Sequence, residues 1–324
     1  MLLVEPHRII SLMHVLIPFA SALSEEATQV LRDLPLPQLE RCLARLTPTA
    51  RDEAEATTLL PPHERALAGA WGWGSGEDDN GSFPFAAHAA ATDGVDVGEL
   101  AWGLVTPAHW LVGRDHVLLA DPAALQIDAD ESRVLFDAVR ELFESEGFTL
   151  AWGAPLRWYA AHESLAGLAC ASLDRAIGRN VEPWLPQPPH ARLIRRLQSE
   201  VQLLLYPHAI NEAREERGAL TVNSFWLSGC GRQQAANTDA VQVDDRLRSP
   251  LLGEDWAGWA EAWRALDDSV LAELAKRAHA GGEVSLTLCG ERSAQRFENR
   301  PQSFTQRLAG RWKPGNVPSV LEGL

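Results

Sequence analysis

The feature that most constrains this chain is the way its apolar residues change period along the sequence. Leu193, Leu197, Val201, Leu204 and Leu205 recur at three- and four-residue spacing, as do Val134, Leu135, Ala138, Leu142 and Phe143. Trp256, Trp259, Trp263, Leu266, Val270 and Leu274 form a third such stripe. These stripes predict helices over 192–206, from Asp130 onward, and over 254–279. Shorter helices are expected after Ser24, over 36–46, over 63–71 behind Pro61-Pro62, and over 165–177. Short segments of strand length lie between them, at 14–19, 149–159 and 222–227, with an alternating strand at 283–288, and the segment around Gly113 reads as a hairpin. Such an alternation predicts an α/β (or α+β) fold with a mixed sheet flanked by helices.

Composition excludes several classes. The 324 residues are 46% hydrophobic and 23% charged, which suits a packed globular core and argues against coiled-coil, collagen-like or disordered chains. No apolar run approaches the roughly 18 residues of a membrane span, so no membrane association is expected. The formal charge of -15 disfavours nucleic-acid binding. That charge is uneven: residues 1–160 hold 24 acidic side chains and 10 arginines, whereas 161–324 hold 20 acidic and 19 basic ones. An anion-binding surface therefore belongs in the second half. Cys42, Cys170, Cys230 and Cys289 follow no zinc or C-x-x-C spacing, which fits a reducing cytoplasm. Met13, directly before the first strand-like run, reads as an alternative start, with 1–12 then a leader ahead of the fold. The four prolines of 181–191 suggest a boundary between an acidic part at 13–180 and a second part at 190–324. The glycine-rich run 72–82 reads as a loop too acidic to cradle a phosphate.

The richest segment for chemistry is 192–231. It contains Arg192, Arg195, Arg196, Arg214 and Arg217 in an acidic protein. His208, Asn211 and Arg214 are three residues apart, so a helix continuing past Pro207 would align them as anion donors. Asn223 and Ser224 begin a strand that leads to Ser228-Gly229-Cys230-Gly231, expected to be a glycine turn whose backbone N–H groups face a ligand at the end of a sheet. Secondary candidates are His109, which with His116 and Asp121 could converge on a metal, and Arg175, Arg179 and Arg195 as further cationic groups. Glu131-Ser132-Arg133 opens a helix and reads as a cap. The basic stretch 292–313 suits an acidic partner or the chain's own acidic half.

A family resemblance appears on these residues. LLPPHERALA (59–68), TPAHWLVGRDHVLLADPAAL (106–125), ESR (131–133), ASLDRAIGR (171–179), RRLQSEVQLLLY (195–206), VNSFWLSGCG (222–231) and LTLCGERSAQRF (286–297) together resemble the bacterial RpfE-type regulatory proteins. Locally, His208-x-x-Asn211-x-x-Arg214-x-x-x-Gly218, Asn223 and Gly229-x-Gly231 resemble the archaeal-type cofactor-independent phosphoglycerate mutases. That resemblance implies an alkaline-phosphatase-like fold, two divalent metals, a Ser or Thr phosphoryl acceptor and Asp/His ligands. The chain departs from the pattern. HVLIPFA ends in Pro-Phe-Ala where such an enzyme places an Asp, no nucleophile segment is visible, and His279 is the last histidine.

The expectation is a cytoplasmic regulatory or ligand-binding protein without cofactor. It would hold a small anionic metabolite through His208, Asn211, Arg214, Asn223, Ser224, Ser228, Gly229 and Gly231. A metal-dependent mutase or phosphatase is the alternative, with a divalent metal as its cofactor. A third reading is an interaction protein that uses helix 254–279 for a partner or for self-association.

Overall fold

A computed structural model describes residues 13–74, 83–187, 191–299 and 316–324. The possible leader 1–12, most of the acidic loop, three residues of the proline-rich stretch and positions 300–313 of the basic stretch lie outside the described residues. In chain order the strands are β1 (Met13–Ile17), β2 (Thr47–Glu53), β3 (Ala101–Ala108), β4 (Trp110–Val112), β5 (Val117–Leu119), β6 (Thr149–Ala154), β7 (Arg157–Ala161), β8 (Ser224–Arg232), β9 (Gln242–Val243), β10 (Val284–Cys289) and β11 (Ser293–Glu298). The helices are α1 (Glu25–Asp33), α2 (Pro37–Leu43), α3 (Pro62–Trp71), α4 (Phe85–Thr92), α5 (Ala129–Ser145), α6 (Leu173–Ala176), α7 (Arg192–Leu205), α8 (Ala209–Glu216), α9 (Arg248–Leu252), α10 (Trp256–Leu266), α11 (Ala272–His279) and α12 (Val317–Glu322). They form two compact units, unit 1 from residues up to 56, 62–72 and 237 onward, and unit 2 from 57–61 and 73–236. This division differs from a boundary at 181–191. That stretch belongs to unit 2, where the Val181 N–H donates to the Val117 carbonyl at 2.8 Å beside β5. None of the described helices is long and apolar enough to cross a membrane.

Unit 1 is built on a five-stranded mixed sheet ordered β2-β11-β10-β1-β9. Strand β1 is parallel to β10, with Met13 opposite Val284, and to β9, with Val15 opposite Gln242. β10, β11 and β2 are antiparallel neighbours. β10 is buried along its whole length and β1 along nearly all of its own; this explains the continuous apolar run of β1, while in β10 the buried Ser285 and Thr287 are hydrogen-bonded to Arg296 and His14. One face packs Val15, Ile17, Leu286 and Leu288 against Leu31, Leu39, Trp259, Trp263 and Leu274. The other carries Leu16, Cys289 and Ala294 under Ala66, Leu67 and Trp71 of α3.

The expected helix 254–279 is α10 and α11 joined by a π-helical turn at Asp267–Leu271. Asp267 is 2% exposed, and its carboxylate accepts from the backbone N–H of Gln38 at 3.0 Å and of Leu39 at 2.8 Å. It thereby caps α2, whose own N-cap residue Leu36 has no side-chain acceptor. Burial raises the Asp267 carboxyl above its ordinary range.

Unit 2 centres on an antiparallel sheet ordered β6-β7-β3-β8, with a separate β4-β5 ribbon. α5 and α7 pack one set of apolar side chains, including Phe136, Phe143, Leu197 and Val201, with Trp158, Phe225 and Leu227. The small residues Ala86, Ala87 and Ala90 of α4 lie against Trp102 and Tyr159, which lets the helix backbone approach closely. The expected helix 165–177 is not continuous. A 3-10 turn at Glu163–Leu165 precedes Gly167 (φ 69°), and only Leu173–Ala176 is α-helical. A left-handed glycine is incompatible with an uninterrupted helix.

Candidate functional site

The structure turns the polar groups of 192–231 inward. α7 stops at Leu205 instead of passing Pro207, and His208 is the N-cap of α8, its Nδ1 accepting from the Ile210 N–H at 3.2 Å. His208 therefore does not join Asn211 and Arg214 on one donor face. Asn211 is 3% exposed; its Nδ2 donates to the carbonyls of Leu205 and Val222, both at 2.8 Å, and its Oδ1 accepts from the Val222 N–H at 2.9 Å. Arg214 is 0% exposed. Its Nε donates to the Leu220 carbonyl at 2.7 Å, Nη1 pairs with Glu131 at 2.5 Å, and Nη2 donates to the Leu125 carbonyl. Arg217 takes the other Glu131 oxygen. A charge this deep is tolerated only when paired and hydrogen-bonded, and the guanidinium has no surface left for an outside anion.

The expected glycine turn is corrected in the same way. β8 runs through Ser224–Arg232, so Ser228, Gly229, Cys230 and Gly231 lie within the strand. The pairing with β3 shifts between Trp102, opposite Gly231, and Leu104, opposite Ser228, so the extra residue of the bulge lies in β8 among these residues. Gly229 has φ 62°, and a Cβ there would lie 3.0 Å from the Ala86 nitrogen and 3.1 Å from Phe85 Cβ. Close approach of α4 demands the glycine. Ser228 is buried, and Ser224 is buried with no hydrogen-bond partner for its Oγ among the described residues. Asn223 accepts from the Trp110 N–H at 2.7 Å and donates to the Trp110 carbonyl at 3.0 Å, clamping the β3–β4 corner.

The secondary candidates also bond locally. His109 Nδ1 donates to the Thr221 carbonyl at 2.8 Å. Asp121 caps the turn Pro122–Leu125 through the Ala123 N–H at 2.9 Å. His109, His116 and Asp121 do not converge as a metal-holding group. Arg175 is buried, with Nη2 3.5 Å from the Leu60 carbonyl. Arg179 is half-buried and its carbonyl accepts from the Leu119 N–H at 3.3 Å. Arg195 donates to the Pro186 carbonyl at 3.3 Å and sits 3.6 Å from Glu182.

What the sequence reading underrated is the start of α5. Besides Glu131, it places Ser132 at 0% exposure, its Oγ donating to the Pro155 carbonyl at 2.8 Å and accepting from the indoles of Trp152 at 3.1 Å and Trp158 at 3.0 Å. Arg133 lies 3.7 Å over the Trp152 ring. The available signal was Ser132 itself, a polar residue one helical turn before Leu135 on the apolar stripe.

In an open α/β sheet, ligands bind at the carboxyl ends of parallel strands, which in unit 1 are β10, β1 and β9. β1 ends in Pro18, Phe19, Ala20 and Ser21, with Phe19 held at φ 58°. Phe19 packs on the His63 ring at 4.9 Å, and its carbonyl accepts from Trp259 Nε1 at 3.2 Å. Beyond β10, the Glu291 carboxylate accepts from the Leu23 N–H at 3.3 Å. Beyond β9, Asp244 is clasped by Arg246 at 2.9 and 2.7 Å, and the same guanidinium reaches Ser269 Oγ at 3.1 Å. A two-metal phosphoryl-transfer centre needs several carboxylate or histidine ligands around each ion. Within either unit by itself, the described residues bring no three such ligand atoms together, so the donor set at this edge does not fit that centre.

Comparison with known proteins adds a local likeness. No protein-family model matches the chain. Over 123 residues, 37% of this chain, it is 24% identical to the 2,3-bisphosphoglycerate-independent phosphoglycerate mutase of Methanosarcina mazei, and the match spans 31% of that protein. Among solved structures it is similar to the cofactor-independent phosphoglycerate mutase from Thermoplasma acidophilum, at 13% identity and a TM-score of 0.36 over 97% of this chain and 98% of that one. It is also similar to the PH0037 protein from Pyrococcus horikoshii, at 10% identity and a TM-score of 0.46 over 97% of each chain. The chain thus carries a local sequence similarity to cofactor-independent phosphoglycerate mutase.

Proposed function

We propose that this is a cytoplasmic regulatory protein of the RpfE type that binds a small anionic metabolite, phosphorylated or carboxylated, and does not carry out two-metal phosphoryl transfer. The supporting observation is the sheet edge of unit 1. There β1 ends without a carboxylate, and the carboxylates of Asp244 and Glu291 accept hydrogen bonds from donors of the same chain. With Asn211 and Arg214 committed to the fold, the anion must use cations that still meet water. In the first turn of α7, which contains no acidic residue of its own, Arg192 is exposed and Arg195 is half-buried, 3.6 Å from the exposed Glu182 carboxylate.

The test is an assay of the purified protein with 3-phosphoglycerate and a generic phosphate ester, with manganese or magnesium and with bound metal determined. Calorimetric titration of phosphorylated metabolites accompanies it. No turnover is expected, together with binding that falls about tenfold or more in Arg192→Glu/Arg195→Glu. Turnover that a chelator abolishes overturns the non-catalytic reading, and a folded parent that binds no metabolite overturns the anionic ligand.

A further inference from the structure

The stretch 254–279, which reads from sequence as a surface for a partner or for self-association, faces mostly inward. Trp259 and Trp263 are 0% exposed, joined edge to face at 6.5 Å. Trp256 is only partly buried, and beside it α1 and α10 border a groove of about 640 Å³. Val30, Leu34 and Trp256 give this groove an apolar floor, while Glu25, Glu26 and Asp33 line it from α1 and Arg264 from α10.

We propose that this groove docks a basic, amphipathic helical segment of a partner protein. The nine residues of α1 span about 14 Å, enough for two to three turns of a helix laid along it with its apolar face on the floor. Charge selects the occupant. Glu25 and Glu26 are exposed and have no cationic partner among the described residues. Asp33 stands at the carboxyl end of α1, where a carboxylate opposes the helix dipole, and among the described residues it accepts only from the Gln29 side-chain amide, at 2.6 Å. A lysine or arginine one turn from an apolar anchor would reach these carboxylates while its stem covers the indole. Arg264, the single cation of the lining among the described residues, discriminates against a segment that is basic on every side. This inference does not depend on the metabolite reading.

The test is fluorescence anisotropy of a labelled amphipathic Leu/Lys peptide, roughly 15 residues long so that a helix can form, titrated with the full-length protein. Its Leu/Glu counterpart is the control. Saturable binding of the Lys peptide alone is expected. That binding should weaken with added salt and fall about tenfold or more in Glu25→Gln/Glu26→Gln and in Trp256→Ala, with thermal melts confirming that both variants fold. No saturable binding, or equal binding by parent and both variants, overturns the proposal. Binding lost in Trp256→Ala but kept in the glutamine variant and at high salt makes the occupant apolar, and also overturns it. A concentration-dependent dimer that only the groove variants abolish assigns the face to a second copy of this chain, with the same consequence.

Discussion

The segment 192–231 and the stretch 254–279 behave oppositely to their compositions. The first is rich in arginine, asparagine and serine, yet its buried polar side chains mostly bond within the fold: Asn211 to Leu205 and Val222, and Arg214 to Leu125, Leu220 and Glu131. The second is rich in tryptophan and alanine, yet it borders a groove where carboxylates have no cationic partner among the described residues. A polar group on the inner side of a helix must be matched internally, because leaving it unmatched costs about 1–3 kcal/mol, and more for a charge. A polar group at a rim is matched by water and stays available. Polar abundance in a segment therefore does not by itself mark a surface open to a ligand.

Deleting one member of the buried pair breaks this comparison most severely. Arg214→Ala leaves Glu131 facing the interior with Arg217 alone and should cost about 3–5 kcal/mol, read as a lower denaturation midpoint. Arg214→Met combined with Glu131→Leu should recover more than half of the loss. If the single variant is as stable as the parent, Arg214 is not structural and its reading as an anion ligand returns.

Unit 1 holds a buried polar group that titrates. Burial, and secondarily the charge of Arg296, lower the His14 pKa from 6.5 to about 4, while its Nε2 meets Thr287 Oγ1 at 2.8 Å. Between those values the folded state binds fewer protons than the unfolded one. The contribution is therefore full above pH 6.5 and is lost as pH falls towards about 4, amounting to at most about 3 kcal/mol. Urea titrations between about pH 7 and pH 4 should show this slope in the parent and a flatter one in His14→Gln. Equal slopes would remove His14 as the cause.

Gly229→Ala sharpens the contrast between a glycine that permits a turn and one that permits packing. At φ 62° and 3.0 Å from the Ala86 nitrogen, the added Cβ should cost about 1–3 kcal/mol. An unchanged melting midpoint would show that α4 can withdraw freely. The smallest effect compares neighbouring indoles in the tryptophan stripe. Trp259 donates to the Phe19 carbonyl at 3.2 Å, whereas the Trp263 N–H has no acceptor among the described residues. Trp259→Phe should therefore destabilise by about 1 kcal/mol more than Trp263→Phe, and the reverse order would show that Trp263 has found an acceptor.

Periodicity located α5, α7, the α10–α11 stretch, β1 and β10 closely, because one-sided or complete burial imposes a spacing on the chain that is local and therefore readable. It misjudged the region around Pro207, where a proline that opens one turn and a histidine that caps the next resemble a continuing helix in spacing. Gly229 and Gly231 read as a turn because glycine permits a turn and a bulge alike. Only the backbone of α4, brought to 3.0 Å from the added carbon, separates the two. Glu131 read as a helix cap because its partner Arg214 lies 83 residues away.

The amino-acid sequence by itself determined the long amphipathic helices, the buried strands β1 and β10 and how the charge is apportioned between the halves, since these depend on neighbouring residues or on simple counting. The tertiary structure alone decided which polar side chains remain available to a ligand. That availability depends on contacts such as Glu131 with Arg214 and His14 with Thr287, the latter 273 residues apart. Folding sets such pairings through burial and chain path, neither of which leaves a record in local spacing.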